Sequence, residues 1–382
     1  MASDKALVKR CAREAGFDLV GVASAEPFAR EQAVVLERLA HGMMGQLPWY
    51  TEARVRRGCD PQAILPGARS IISVACSYYA DSSTRPPTGS GRTDDGQPPP
   101  HGRVARYAWY RDYHAVLKKR LKGLVGMVQE GLGRSFAHKL YVDDGPMLDR
   151  EVARRAGIGF TGKNTNILTR AGSWVLLGQL VTDLELEPDR PLAKSCGSCR
   201  TCIPACPTGA ITSDYVLDSN RCIAYLTIEH RGPIPREMRP LMGDWVFGCD
   251  ICQDVCPVNL RRAAPAAAPL SPPQDTSLEL VELLEMDEAQ FAERFAGSPI
   301  RRAKLAGMQR NACIALGNLR AVEAVPALTK ALIQAAPLVR GHAAWALGRI
   351  GTMDGRRALA EASAVEQDPW VREEIALALG AA

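Results

Sequence analysis

Apolar and polar positions keep two different rhythms along this chain. Through the first half, short dense apolar runs alternate with amphipathic stretches. SIISVACSYY (70–79), HKLYVDD (138–144) and SWVLLGQLVTDL (173–184) concentrate β-branched and aromatic residues and predict strands. ALVKRCAREAG, YHAVLKKRLKGLVGMVQEGL and PMLDREVARRAG space their apolar residues as one face of a helix does, and two of them run into a glycine suited to a C-cap. The pattern predicts an α/β or α+β domain over roughly 1–185, without revealing the order of its strands. In the last third everything is helical and repetitive. QRNACIALGNL (309–319), VRGHAAWALGRI (339–350) and VREEIALALG (371–380) align on Leu316-Gly317, Leu347-Gly348 and Leu379-Gly380. A period in the low thirties is that of helix pairs stacked into a short solenoid. So few repeats need the rest of the protein for support.

Two stretches interrupt these rhythms. DSSTRPPTGSGRTDDGQPPPHGR (81–103) is rich in Pro, Gly and Asp and predicts a long, mobile surface loop. RRAAPAAAPLSPPQD (261–275) predicts a linker ahead of the repeats.

Composition narrows the class. With 46% hydrophobic and 23% charged residues, the 382-residue chain is ordinary globular protein with length enough for two or three domains. A net charge of +5 permits a polyanionic partner without requiring one. No run approaches the ~18 apolar residues of a membrane span. MASDKALVKRCAREAGFDLVGVA mixes charges into its apolar positions and lacks the core of a secretory signal, so the cytoplasm is the expected location. Eight of the twelve cysteines crowd between Cys196 and Cys256, which points to metal binding rather than a disulfide framework. Cys11, Cys59, Cys76 and Cys313 are scattered and read as small buried residues.

The crowded cysteines carry the chemistry. Cys196, Cys199, Cys202 and Cys206 with Pro207 form C-x2-C-x2-C-x3-C-P, in which three thiolates wrap one face of a cuboidal cluster and the fourth turns to a second. The other half, Cys249-x2-Cys252-x3-Cys256-Pro257, has Val246 where a triplet would begin, and Cys222 is the natural replacement. Two 4Fe–4S clusters follow: one on Cys196, Cys199, Cys202 and Cys256, the other on Cys206, Cys222, Cys249 and Cys252. A pair of zinc sites is the competing reading. The prolines, the count of eight and the adjoining PTGAI (207–211) favour iron–sulfur and single-electron transfer.

Weaker motifs need weighing. GIGFTGKN (157–164) nearly matches both a dinucleotide fingerprint and a Walker loop, but Asn164 stands where the Walker loop needs Ser or Thr, and a helix rather than a strand precedes it. DYHAVL (112–117) opens like a cobalamin-ligating D-x-H-x-x-G but has Leu117 in the glycine position, which leaves His114 as a helix-surface residue. Asp143 and Asp144 end a strand before Gly145-Pro146, where turn or cap duty is the ordinary role, yet a strand's carboxyl end also suits a pocket. Arg301, Arg302, Lys304 and Arg310, followed by Arg340 and Arg349, are either a solvated face or a phosphate-binding stripe.

From about Asp143 to Asn259 the chain closely resembles epoxyqueuosine reductases, on VDDGPMLDREVARRAGIGFTGKNTNIL, AGSWVLLGQL, the cysteine block, RCIAYLTIEHRGPIPREMRPLMG and GCDICQDVCP. LPGARSII, RYAWYRDYH and PIRRAKLAGMQRNACIALGN extend the resemblance over most of the rest. The resemblance implies an α+β protein with an α/β cobalamin-binding catalytic domain (1–185), a ferredoxin-like two-cluster domain (186–260) and HEAT-like repeats (276–382). It implies reduction of epoxyqueuosine to queuosine at the tRNA wobble position, with cobalamin, two 4Fe–4S clusters and an external electron donor that the sequence does not identify. A monomer is expected. Asp143 is the implied catalytic acid, although Asp144 places a second carboxyl where the family has Ser or Thr. Arg57, Asp143, Gly162, Lys163, Asn164, Thr165, Ser173 and Asp250 are the implied cobalamin environment, and Arg301, Arg302, Lys304 and Arg310 the expected tRNA contacts. Two rivals are another cobalamin iron–sulfur reductase of the reductive dehalogenase kind, and a non-enzymatic electron carrier with a docking solenoid.

Overall fold

The computed structural model describes residues 2–80, 99–261 and 273–380, so most of the 81–103 loop and of the 261–275 linker lies outside the described residues. Packing gathers the chain into two compact units, each built from separated segments. Met1–Tyr79, Tyr110–Asn220 and Ile251–Pro272 form the first, and Ala80–Trp109, Arg221–Asp250 and Pro273–Ala382 the second.

The first unit is organised by a four-stranded sheet in the order Leu19–Ser24, Ser70–Ser77, Val175–Thr182, His138–Tyr141. Every neighbouring pair is antiparallel, which makes the class α+β. All three predicted strands are present. Ser70–Ser77 is buried along its whole length and Val175–Thr182 at all but one position. Both faces are covered, and these strands therefore read as unbroken apolar runs rather than as an alternation. The face carrying Ile71, Ala75, Val175 and Val181 packs against Phe28, Val55, Val152 and Ala156. On the opposite face lies the long helix Tyr113–Leu132, close enough that a side chain at Gly178 would meet Leu121 at 3.1 Å.

That helix shows why the local sequence folds as it does. The Asp112 carboxylate accepts from the His114 N–H at its start, and Gly133 in the left-handed region (φ 64°) ends it. D-x-H is thus an N-cap. The helix Asp149–Arg155 ends likewise at Gly157, φ 70°. It is followed by a hairpin of Gly159–Thr161 with Ile167–Thr169. GIGFTGKN accordingly runs from helix to hairpin rather than from strand to helix, an arrangement that neither nucleotide motif uses.

In the second unit, His101–Val104 pairs in parallel with Trp245–Phe247 and antiparallel with Ser277–Glu279. The end of the expected 81–103 loop is therefore a strand, not part of a mobile surface segment. Residues 273–275, assigned by sequence to the linker, are also tied down. The Gln274 N–H donates to the Trp109 carbonyl, and buried Asp275 pairs with Arg294. Beyond them, helices Lys304–Leu319, Pro337–Ile350 and Pro369–Gly380 pack successively in one row, with Val325–Gln334 and Met353–Val365 in a second. The repeated Leu-Gly now has a cause. A Cβ at Gly317 would lie 2.7 Å from Trp345, and one at Gly348 2.7 Å from Ala378. The glycine marks where the next helix seats, and Gly380, in the final helix, meets no such neighbour among the described residues.

Candidate active site and cluster ligands

Past the strand His138–Tyr141 the backbone turns at Asp143, whose φ of 55° is left-handed, a conformation that Asp tolerates better than most residues. The turn is wedged from behind. Arg54 donates to the Gly145 carbonyl at 2.5 Å, and a Cβ at Gly58 would sit 1.9 Å from the Pro146 oxygen, so only glycine allows this approach. Asp143 is exposed, and the Tyr113 hydroxyl donates to its Oδ2 at 2.8 Å. Tyr113 in turn stacks on His114, with centroids 4.1 Å apart, and His114 Nδ1 bonds the Asp112 carboxylate at 2.6 Å. Partial burial opposes charge on His114, but Asp112, assisted by Asp143 and Asp144, raises its pKa above the ordinary value. Asp144 differs from its neighbour. Burial disfavours its charge, yet Lys118 and the Val142 N–H hold its carboxyl below the usual range. Asp144 is a committed anion, and Asp143 is the carboxyl open to a ligand.

Asp143 is thus an exposed turn residue. The buried carboxyl is Asp149, at the start of the following helix. Its Oδ1 is sealed from solvent and lacks a hydrogen-bond partner. Burial, followed by the charge of Asp143, pushes its pKa up to about 7, against the Gln179 side-chain hydrogen bond. Gln179 also donates to the Asp149 carbonyl, and faces Ser73 across the central strands.

Four of the cysteines lie within electrostatic reach of one another in the first unit. Burial pushes the Cys196 and Cys202 thiols up, and sulfur neighbours add to the shift: Cys196 is influenced by Cys256 and Cys199, and Cys202 by Cys196, Cys256 and Cys199. These are the four expected around one cluster. Among the described residues no three His, Cys, Asp or Glu side chains converge as a single ion requires. A four-iron cage makes no such demand, because its thiolates stand apart around the corners. Cys206 ends the short helix Cys202–Ala205, and its sulfur accepts from the Ala210 N–H at 3.3 Å. Cys256, in extended conformation, precedes Pro257, which opens the helix Pro257–Leu260.

The residues expected around cobalamin divide into two groups. Arg57 and Asp143 are exposed, and the open carboxylate with its phenol neighbour fits a ligand's reacting group. Others are buried and bonded within the protein. Lys163 Nζ reaches the Gly197 carbonyl and Asp214, both at 2.9 Å, and Asn164 donates to the Cys252 carbonyl at 3.2 Å. Ser173 donates to Gln253 and receives from Asn259, and Asn259 also bonds the Gln253 carbonyl. Thr165 (φ 65°) and Gly162 close the 162–166 turn on itself. Lys163, Asn164 and Ser173 thus seat the cysteine segments. Sequence reasoning missed Tyr113, Lys118, Asp149 and Gln179, whose roles depend on contacts far apart along the chain.

In the second unit Cys222 caps the helix Ile223–Ile228, and Asp250, next to Cys249, accepts from the Arg106 N–H and guanidinium. Arg310 corrects the tRNA expectation. It is 0% exposed, donates to the carbonyls of Leu226, His230 and Gly232, and is pushed down to about 9 by burial and then by Arg231. Its neighbour Asn311 donates to the Thr227 and Val246 carbonyls. Together they pin the segments that carry Cys222 and Cys249, and no phosphate reaches them. Arg340 is likewise occupied, in a bidentate pair with Glu366. Arg302 pairs with Glu229 while remaining half-exposed, and Arg301, Lys304 and Arg349 are exposed.

Residues 195–259 match the 4Fe-4S double cluster binding domain and residues 302–380 match HEAT repeats. Fold and cysteine set together define a two-cluster iron–sulfur oxidoreductase with a helical-repeat tail. Residues 58–144 match the family described as Epoxyqueuosine reductase QueG, DUF1730. Curated relatives with the name epoxyqueuosine reductase include those of Xanthomonas campestris (38% identical, covering 91% of this chain and 96% of the relative) and Escherichia coli (37%, covering 90% and 88%). An epoxyqueuosine reductase solved with a tRNA-Tyr epoxyqueuosine-modified stem loop superposes with a TM-score of 0.89 at 32% identity, over 100% of this chain and 99% of that one. A Bacillus subtilis enzyme, solved with the catalytic loop of an aspartate swung out of its active site, gives 0.87 at 30% over the same shares. The chain belongs to the epoxyqueuosine reductase family.

Proposed function

We propose that this chain reduces epoxyqueuosine to queuosine at the wobble position of tRNA, with Asp143 as the acid. Family membership and the relative solved with a modified stem loop support the substrate. The observation that carries the residue assignment is the exposed Asp143 carboxyl on its left-handed turn, bonded by Tyr113, beside an Asp144 already neutralised by Lys118. Overall, the epoxide oxygen leaves as water and a ring double bond remains, which consumes two electrons and two protons. Cobalamin, held beside the exposed Arg57 and Asp143, would supply the electrons needed to open the strained C–O bond. The oxygen that departs needs a proton, and Asp143 holds and delivers it, with the Tyr113 hydroxyl fixing the direction of the carboxyl. Cys196, Cys199, Cys202 and Cys256 hold one 4Fe–4S cluster, and Cys206, Cys222, Cys249 and Cys252 the other, so that electrons arrive singly. The functional division is a catalytic domain over 1–185, a cluster domain over 186–260 and tRNA-gripping repeats over 276–382, in a cytoplasmic monomer. No helix among the described residues is long and apolar enough to cross a membrane.

Asp143→Asn tests the assignment on tRNA carrying epoxyqueuosine. The variant is expected to keep its clusters and cobalamin, seen in the corrin absorbance, and to lose roughly 10²-fold or more in turnover. Unchanged turnover removes Asp143 from the role.

A further inference from the structure

The near-match to a nucleotide loop, GKN (162–164), carries one of the most enclosed cations in the first unit. Lys163 is 6% exposed. Its ammonium lies 2.9 Å from the carbonyl of Gly197, the residue after Cys196, and 2.9 Å from Asp214. Asp214 is more than a third exposed and is shared with Arg200 at 3.0 Å, so one carboxylate serves two cations. The turn that presents Lys163 is closed by Gly162 N–H to Asn166 O and Thr165 N–H to Gly162 O, both 2.8 Å. Its next residue reaches the other cysteine arm, with Asn164 on the Cys252 carbonyl.

We propose that Lys163 is a positioning residue for the first cluster and the charge that sets its reduction potential. The proposal rests on the ligand set Cys196, Cys199, Cys202 and Cys256 given above. Each reduction adds one electron to the cage, with no bond made or broken. An enclosed positive charge beside the cysteine loop stabilises that added negative charge far more than a solvated one would. Lys163 therefore raises the potential of the cluster, and Asp214 moderates the effect. The two partners have opposite signs, which a purely structural role for the turn does not produce.

Anaerobically purified Lys163→Met, Lys163→Arg and Asp214→Asn proteins, with Cys199→Ser as a control of the ligand set, are compared by iron content and by spectroscopically monitored redox titration. All three charge variants are expected to retain both clusters. In Lys163→Met one of the two clusters becomes at least tenfold harder to reduce, which is about 59 mV lower for a one-electron couple, while the other stays in place. Lys163→Arg stays within threefold of the parent, and Asp214→Asn shifts the same cluster upward. Intact clusters with unmoved potentials in Lys163→Met overturn the proposal, as does an Arg variant displaced as far as the Met variant. Should Lys163→Met lose iron, Asp214→Asn decides alone, and no upward shift there overturns it. If Cys199→Ser keeps the full iron content, the ligand set itself is wrong, an outcome separable from any result at Lys163.

Discussion

Asp143, Asp144 and Asp149 share one short segment and differ only in surroundings. Asp144 has a cation, Asp143 has a phenol and solvent, and Asp149 has a buried site with an amide. The last has a measurable consequence. Its folded-state pKa of about 7 lies above the ordinary Asp value, so the folded protein binds that proton more tightly than the unfolded chain does. Stability from this group is complete below about pH 4 and is lost as pH rises through 7. Asp149→Asn, which carries no proton to lose, is therefore expected to match the parent near pH 4 and to exceed it by about 2–4 kcal/mol at pH 8. Denaturant midpoints across that range check this, and a constant difference between the two proteins refutes it. None of these distinctions was legible in the string VDDGPMLD. Periodicity locates a strand end and a helix start, but which carboxyl meets Lys118 and which meets Gln179 depends on residues 26 and 30 positions away.

At the scale of elements the sequence was more informative. Strands, the long capped helix and the repeat helices all appear where apolar period and glycine placement put them, because these signals act within a few residues. Antiparallel order was invisible, since a strand covered on both faces reads the same in either direction. Within the second unit a buried ion pair ties the repeats to the segment around Arg239. Glu374, on the last helix, is buried and bonds Arg239, itself 1% exposed, at 2.7 and 2.9 Å, and also meets Arg236. Glu374→Gln leaves a buried guanidinium without its counter-charge and is expected to cost about 3–5 kcal/mol. Denaturation of the whole chain measures it, and a change below 1 kcal/mol shows that the pair is dispensable. The same accounting explains why Arg310 left the expected phosphate stripe. A basic run on a helix identifies neither face, and tertiary packing assigned this arginine to three carbonyls.

For the whole molecule, the proposed grip on tRNA falls to the charges that packing leaves open. Arg301 and Lys304 are exposed at the start of the repeats, unlike Arg310. The double variant Arg301→Ala, Lys304→Ala is expected to weaken stem-loop binding and to lower the slope of log K against log salt by about 0.7–0.9 per lost phosphate contact. An unchanged slope places the RNA elsewhere. The chain alone determined the chemistry. Eight cysteines at set intervals with their prolines commit it to two clusters, because ligand spacing and backbone stiffness are local properties that survive in one dimension. It also determined the kinds of elements and the repeat, through period and glycine. Tertiary structure alone decided the working state of each charged side chain: Asp143 open, Asp144 paired, Asp149 sealed, Lys163 enclosed by the cysteine loop and Arg310 spent on carbonyls. Those outcomes depend on solvent access and on partners brought close only by folding, and neither quantity has a counterpart along the sequence.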